Sequence, residues 1–308
     1  MCLCFYVVQI FMRVSEINIY PIKSCRGISL AEAIVEERGL QFDRRWMLVD
    51  ENNRFLTQRE YPVMATIDVD VRFQPDGLVV ATPEKEPLYI PTATGPDFLN
   101  TEEVVVWNST VEALVLPSYV DEFFSDVLRA KVRLVFMPDG SRRAVNPRFD
   151  RGNDVVSFAD GYPLMALSEA SLADLNKRIA DAHVGAGESP AFQSLPMNRF
   201  RPNLVVSGAE PFAEDNWMRV RVGEVEFRST KPCERCVITT VDQARGEFDG
   251  KDPLRTLATY RLAKIVMPER LETLGVSPNG VLFGQNLIAE EHGGTIRVGD
   301  EVEVLESR

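Results

Sequence analysis

The run Lys231-Pro232-Cys233-Glu234-Arg235-Cys236-Val237-Ile238-Thr239-Thr240-Val241-Asp242 sets two thiols three positions apart, with a cation beside each, on an apparent strand-to-loop passage. The thiolate is the form of cysteine that attacks carbon and binds metals, and nearby positive charge lowers the pKa that controls it. Four chemistries suit such a pair. Half of a structural zinc site needs further ligands, and the chain offers only Cys2, Cys4, Cys25, His183 and His292, with Cys2-x-Cys4 poorly spaced. A thioredoxin-like redox pair calls for a helix after the motif, where Val-Ile-Thr-Thr-Val is strand-like instead. The remaining readings are two packed small residues and a single reactive or metal-ligating thiolate.

Positive charge is clustered at Lys23/Arg26, Arg44/Arg45, Arg142/Arg143, Arg148/Arg151, Arg199/Arg201 and Lys231/Arg235. Several clusters adjoin turn signals, as in Tyr20-Pro21-Ile22-Lys23-Ser24-Cys25-Arg26-Gly27 and Asn198-Arg199-Phe200-Arg201-Pro202-Asn203. Arg and Lys beside Ser, Asn and open backbone N–H groups suit a phosphate or another polyoxyanion. For any single Arg, a surface ion pair is the plainer role. No P-loop and no Gly-x-Gly-x-x-Gly occurs, so an ordinary nucleotide site has no support. Thiolates suit soft metals. A metal delivered on a phosphorylated organic carrier needs both a thiolate and a cationic cleft, and molybdenum on its pyranopterin fits that description.

The elements that must position these residues read mostly as β. Ser15–Tyr20, Ile28–Glu36, Trp46–Asp50 with Arg54–Thr57, Ile67–Phe73, Leu78–Ala81, Val104–Trp107 and Val111–Leu116 are strand-like, separated by turn signals such as Pro75-Asp76-Gly77 and Asn108-Ser109. Ser118–Ala130 carries a helical stripe, Ser168 caps a second helix bearing Leu172, Leu175 and Ile179, and Asp252-Pro253 starts a third. His183, near the end of the second helix, suits its dipole. Residues 184–196 read as a loop. Further strands are expected at Leu204–Ser207, Met218–Val222, Val225–Ser229, Val281–Phe283, Asn286–Ala289, Thr295–Arg297 and Glu301–Leu305.

With 308 residues, 45% hydrophobic and 26% charged, the chain reads as soluble and globular, in one large or two ordinary domains. Its net charge of −12 argues against nucleic acid or an anionic membrane as partner. Five cysteines form no even framework and point to a reducing compartment, read here as cytoplasmic. The apolar stretch Leu3 to Met12 is too short to span a bilayer as a helix and lacks signal-peptide features, so no membrane span is expected. Met12-Arg13-Val14-Ser15 reads as a second start, which makes residues 1–11 an expected N-terminal extension, or else an edge strand.

Taken in order, these motifs resemble the MOSC-domain family, in particular members with an N-terminal MOSC β-barrel region, such as the mitochondrial amidoxime reducing component and its bacterial relatives. The resemblance is carried by residues 20–27, by Asp-Arg-Arg-Trp-Met-Leu-Val at 43–49, by Leu-Ser-Glu-Ala-Ser-Leu-Ala-Asp-Leu-Asn at 167–176, by Phe-Arg-Pro-Asn-Leu-Val-Val-Ser-Gly at 200–208, by the Cys motif, and by Leu-Phe-Gly-Gln-Asn at 282–286. It implies a mixed α+β, predominantly β fold, with an N-terminal β-rich domain over 12–118 packed against a MOSC β-barrel domain over 119–308. It makes Cys236 the molybdenum ligand and catalytic residue, with Cys233 a neighbour. Lys23, Ser24, Arg44 and Arg201 would hold the pterin and its phosphate. Asp160 falls near a cofactor-contacting loop, although Gly161-Tyr162 departs from the small polar residues of that loop. Gln285 and Asn286 would shape the cleft, or else form a tight turn. The implied reaction is reduction of small N-hydroxylated compounds (amidoximes, N-hydroxylated bases), with electrons from a separate ferredoxin-, flavodoxin- or cytochrome-type protein. The alternative is a molybdenum cofactor or sulfur carrier working with a pyridoxal-phosphate cysteine desulfurase.

Overall fold

The computed structural model describes residues 11–73, 76–92, 100–185 and 193–308. Ten strands come first: β1 (Arg13–Ile19), β2 (Ile28–Leu30), β3 (Glu32–Glu36), β4 (Gly39–Leu40), β5 (Trp46–Val49), β6 (Asp68–Phe73), β7 (Asp76–Thr82), β8 (Lys85–Pro91), β9 (Thr101–Val106) and β10 (Ser109–Val115). Helix α1 (Ser118–Leu128), β11 (Arg133–Phe136), β12 (Leu164–Ser168) and α2 (Glu169–Gly185) follow. Next are β13 (Leu204–Ser207), β14 (Trp217–Val222), β15 (Val225–Arg235), β16 (Val241–Asp242) and β17 (Glu247–Phe248). Three short helices, α3 (Leu254–Tyr260), α4 (Ala263–Val266) and α5 (Leu271–Leu274), precede β18 (Val281–Ala289), β19 (Thr295–Arg297) and β20 (Val302–Ser307). The fold is mixed α+β and predominantly β. Among the described residues no helix is long and apolar enough to cross a membrane.

The largest sheet has eight strands in the order β2-β1-β13-β12-β18-β15-β14-β20. Only β12 and β13 run parallel in it. A parallel pair needs a crossover, and α2 supplies it. The end of the chain returns to the beginning: Val302 N–H donates to Met12 O and Gly299 N–H to Val14 O, both at 2.8 Å. The sheet thereby curls on itself and leaves less free edge. Its core gathers Ile17, Val35, Leu204, Val220, Phe227 and Leu287. In β3 the alternation is plain, with Ala33 and Val35 buried between exposed Glu32 and Ile34.

A second core lies under the four-stranded sheet β5-β11-β10-β9. There Phe123, Phe124, Val120 and Leu128 of α1 pack with Trp46 and Leu48 of β5. The helix stops at Arg129, which turns into the left-handed region with φ 52° and returns its N–H to Ser125 O. Ile28, Phe42 and Val71 pack against both cores. The chain also crosses between them. β1 and β2 lie in the large sheet, whereas α1 and β11, from later in the chain, complete the other core.

Several expectations need correction. β18 runs unbroken from Val281 to Ala289, so Gln285 and Asn286 form no turn; Gly284, at φ 85°, takes up the irregularity inside the strand. Val237–Thr240 is a 3₁₀ turn, not a strand. The Thr239 hydroxyl donates to Cys236 O and the Thr240 hydroxyl to Val237 O, a local bonding that competes with sheet pairing. Residues 54–57 make hairpin bonds, with Leu56 N–H donating to Leu48 O, but no regular strand. Pro253 takes the cap position of α3 and not its first turn. The extension expected at residues 1–11 lies, save Phe11, outside the described residues, as do Pro75 and part of the loop expected over 184–196.

Candidate active site

Three loops and one strand end converge on one cavity. The first loop joins β1 to β2. Gly27 is required there, because a Cβ at that position would sit 2.4 Å from Tyr20 Cε1. The turn puts Ser24 at φ 69° and buries Lys23. The Lys23 ammonium donates to Phe158 O at 2.8 Å and to Asp160 Oδ1 at 2.6 Å. Burial draws the Lys23 ammonium down, against the pull of Asp160. Desolvation pushes the Asp160 carboxyl up, but the charge and hydrogen bond of Lys23, then Arg59 and Arg44, outweigh it and hold the group well below the usual carboxylate range. Its side chain is open to the cavity, so the ion pair decides its state more than burial does.

The second loop carries Arg44 at φ 49°, the third Arg201 at φ 54°. Three lining residues thus occupy a region of backbone space that non-glycine residues enter at a cost of about 1–3 kcal/mol each, a common mark of functional sites. Arg44 donates to Asp43 Oδ2 at 2.5 Å and to Asn203 Oδ1 at 3.0 Å. Arg44 and Arg201 both stack on Tyr20, each 4.2 Å from the ring centroid. Tyr20 is itself fixed by donating to Pro202 O, and burial pushes its phenol up to about 12. Arg201 differs from its neighbour: among the described residues its guanidinium finds no carboxylate and no hydrogen-bond acceptor, and desolvation draws it down to about 10.

The strand end is β15, which delivers Cys233 within its last turns and Cys236 just beyond it. The two cations expected to serve these sulfurs are engaged elsewhere. Lys231 pairs with Glu234 at 2.6 Å, and Arg235 donates to Phe283 O and Phe200 O. The cation on the sulfur is Arg59, which donates to Cys236 Sγ at 3.1 Å. Sequence reasoning missed Arg59. It stands in Thr57-Gln58-Arg59-Glu60, where Thr57 donates to Glu60 at 2.6 Å and closes a tight turn, and that Thr-x-x-Glu box was the available signal. Cys233 also lines the cavity, but its sulfur receives no guanidinium: among the described residues its hydrogen bond goes to the Glu234 carbonyl, at 4.0 Å, and burial pushes its thiol up.

Lys23, Ser24, Arg44, Asp160, Arg201 and Cys236 all line this cavity. Asn286 joins them, while Gln285 is fully buried, its Oε1 without a hydrogen-bond partner among the described residues. Arg199 forms part of the wall, held by Asp249 at 2.7 Å. Arg143 does not face in. It donates to Ser157 O, Ala159 O and Asp160 O and so holds the segment that carries Asp160. Arg26 and Arg142 pair with Asp68 and Glu37 away from the cavity. Among the described residues no cluster of three His, Cys, Asp or Glu side chains is placed to hold a metal, so a structural zinc set has no support there. A soft sulfur at the rim and an uncommitted guanidinium deeper in are the donor set that a metal on an anionic carrier requires. The residues therefore fit the expected molybdenum cofactor.

Comparison with known proteins shows the family of the chain. Residues 11–131 match the MOSC N-terminal beta barrel domain and residues 153–303 the MOSC domain. Mitochondrial amidoxime-reducing component 1 of Mus musculus is 34% identical over 301 residues, covering 95% of this chain and 82% of that protein. Mitochondrial amidoxime reducing component 2 of Bos taurus is 34% identical over 301 residues, covering 94% and 82%. Molybdenum cofactor sulfurase of Oryza sativa subsp. japonica is 31% identical over 264 residues, which is 82% of this chain but 31% of that protein. The names of the first two place those relatives in mitochondria, and the cytoplasmic location expected for this chain gains no support.

Proposed function

Because the chain belongs to the MOSC family, with the N-terminal β-barrel domain preceding the MOSC domain, we propose that it is a molybdenum-cofactor-dependent reductase of N-hydroxylated compounds. The bound metal supplies two-electron chemistry: with two electrons and two protons, an N–OH group becomes N–H and its oxygen leaves as water. The rest falls to the chain's own side chains. Cys236 is the sulfur ligand, and Arg59 fixes the direction of that sulfur. Arg201, Arg44 and Lys23, with the Ser24 hydroxyl, bind the anionic end of the carrier, and Asp160 orients Lys23. No histidine is needed, and no lining residue of the cavity is one. Electrons come from a separate ferredoxin-, flavodoxin- or cytochrome-type protein.

The observation that carries this reading is the shared cavity of Cys236 and the uncommitted Arg201 guanidinium. The test is to purify the protein from a molybdenum-replete host, measure molybdenum and pterin, then supply a chemical reductant and an amidoxime. Bound cofactor with turnover supports the reductase. Stoichiometric cofactor without turnover on any N-hydroxylated compound overturns it in favour of the second reading, a cofactor or sulfur carrier serving a pyridoxal-phosphate cysteine desulfurase. That second reading draws its support from the match to part of a molybdenum cofactor sulfurase.

A further inference from the structure

Outside the cofactor cavity, and continuous with it through Asp160, Cys233 and Cys236, lies a wider vestibule of about 960 Å³. That is within the size range of small-molecule sites. Its wall includes Arg59, Trp107, Asn108 and Tyr162. Trp107 stands out among these. It occupies the turn between β9 and β10 at φ 54°, a conformation that turns normally give to Gly or Asn. The indole nevertheless keeps 38% of its surface exposed. It is also held still: Phe55 packs 5.0 Å from it between ring centroids, the Arg59 guanidinium lies 4.9 Å from its centroid, and its Nε1–H donates to Asp160 Oδ1 at 3.3 Å. A bulky aromatic side chain, strained in its backbone, held by Phe55, Arg59 and Asp160 and left partly open on the vestibule that Cys236 also lines, is better placed to receive a ligand than to fill a core.

We propose that Trp107 is the substrate platform of the vestibule, and that it gives the enzyme a preference for planar, ring-bearing N-hydroxylated compounds over small aliphatic ones. This rests on the reductase reading for its chemistry, though the binding it describes does not require turnover. A flat ring stacks on the exposed part of the indole, which brings its exocyclic N–OH toward Cys236. Offset stacking of two aromatic rings is the attraction that an aliphatic amidoxime lacks.

Two measurements test the platform. In the first, kcat/KM is determined for benzamidoxime and for acetamidoxime in the wild type, Trp107→Ala and Trp107→Phe. The ratio of the two values is expected to fall about five- to tenfold in the alanine variant and to be largely restored by phenylalanine. A merely structural role, through Arg59 or Asp160, moves both substrates together and leaves the ratio unchanged, and that result overturns the proposal. The second measurement reads binding alone. The chain has three tryptophans, and Trp46 and Trp217 are 1% and 2% exposed, so a change in fluorescence on ligand binding reports Trp107. Benzamidoxime added to the purified holo-protein is expected to quench the emission, acetamidoxime not, and Trp107→Phe should abolish the response. Equal quenching by both ligands, or none, overturns the platform. If the wild type reduces neither compound yet shows the selective quench, the reductase reading fails while the platform stands. If it reduces both with an unaltered ratio in the alanine variant, the reverse holds.

Discussion

Two sulfurs three positions apart line the same cavity in different company: Cys236 accepts from a guanidinium, whereas Cys233 donates to a backbone carbonyl and has its thiol pushed up by burial. Cys236→Ser is therefore expected to lose molybdenum almost completely with little change in melting temperature, and Cys233→Ser to keep most of it. Metal analysis of the two variants decides the matter, and equal losses would contradict a single sulfur ligand. Arg201→Ala removes a group whose one fixed side-chain contact among the described residues is the Tyr20 ring, worth about 0.5–2 kcal/mol, so thermal stability should fall slightly while pterin retention falls tenfold or more. Asp160 carries a pH signature. Its carboxyl is held below its unfolded value near 4, so the Lys23 pair stabilises the fold above that pH and the contribution fades as acid carries the group through its lower folded value. Asp160→Asn should thus lower the melting temperature at pH 7 by the equivalent of about 1 kcal/mol or less, because the carboxylate is open to solvent, and the gap to wild type should close in acid. A gap that widens in acid would refute the pairing. The residue types and their clustering were legible from the chain. Arg59 was not: its Thr-x-x-Glu box announces a turn, but the contact joins residues 59 and 236, and nothing local ties that turn to the sulfur.

At the scale of elements, the reading of period and turn chemistry found β1, β10, α1 and α2, whose apolar faces are their own evidence. It failed where tertiary bonding overrode propensity. Val-Ile-Thr-Thr has the composition of a strand, but two threonine hydroxyls turn back onto their own backbone and make a 3₁₀ turn that presents Cys236. The sequence suggests two short strands either side of Gly284-Gln285, whereas in the sheet Gly284 lies at a register irregularity inside one strand. The β1–β2 loop makes a sharper claim. A Cβ on Gly27 would collide with the Tyr20 ring, the surface on which both arginines stack. Gly27→Ala is expected to cost about 1–3 kcal/mol of stability and to reduce bound pterin as well, measured by denaturant melts and pterin fluorescence on the same preparation. Loss of stability with full cofactor content would show that the ring does not organise the cleft.

For the whole molecule, the family and the predominance of β structure were readable from ordered motifs, but the interleaving of the two cores was not, since no local pattern records which distant strand a segment will join. That interleaving has a measurable result. β1 lies in the large sheet, α1 completes the other core, and Ile28, Phe42 and Val71 touch both, so urea is expected to unfold the chain in one transition seen alike by circular dichroism and by the buried Trp46 and Trp217. Separate transitions would mean that the halves stand alone. The acidic chain as a whole also surrounds a cleft of the opposite sign. Arg44 and Arg201 both stack on Tyr20, and the charge of Arg44 adds to desolvation in drawing Arg201 down. Asp43 already pairs with Arg44, so the charge left to balance is that of Arg201, and a bound anion would balance it. Maturation should then be visible as toughness: a cell starved of molybdenum would accumulate a softer form that proteases clear first, and heat resistance would serve as a gauge of how far cofactor delivery has proceeded.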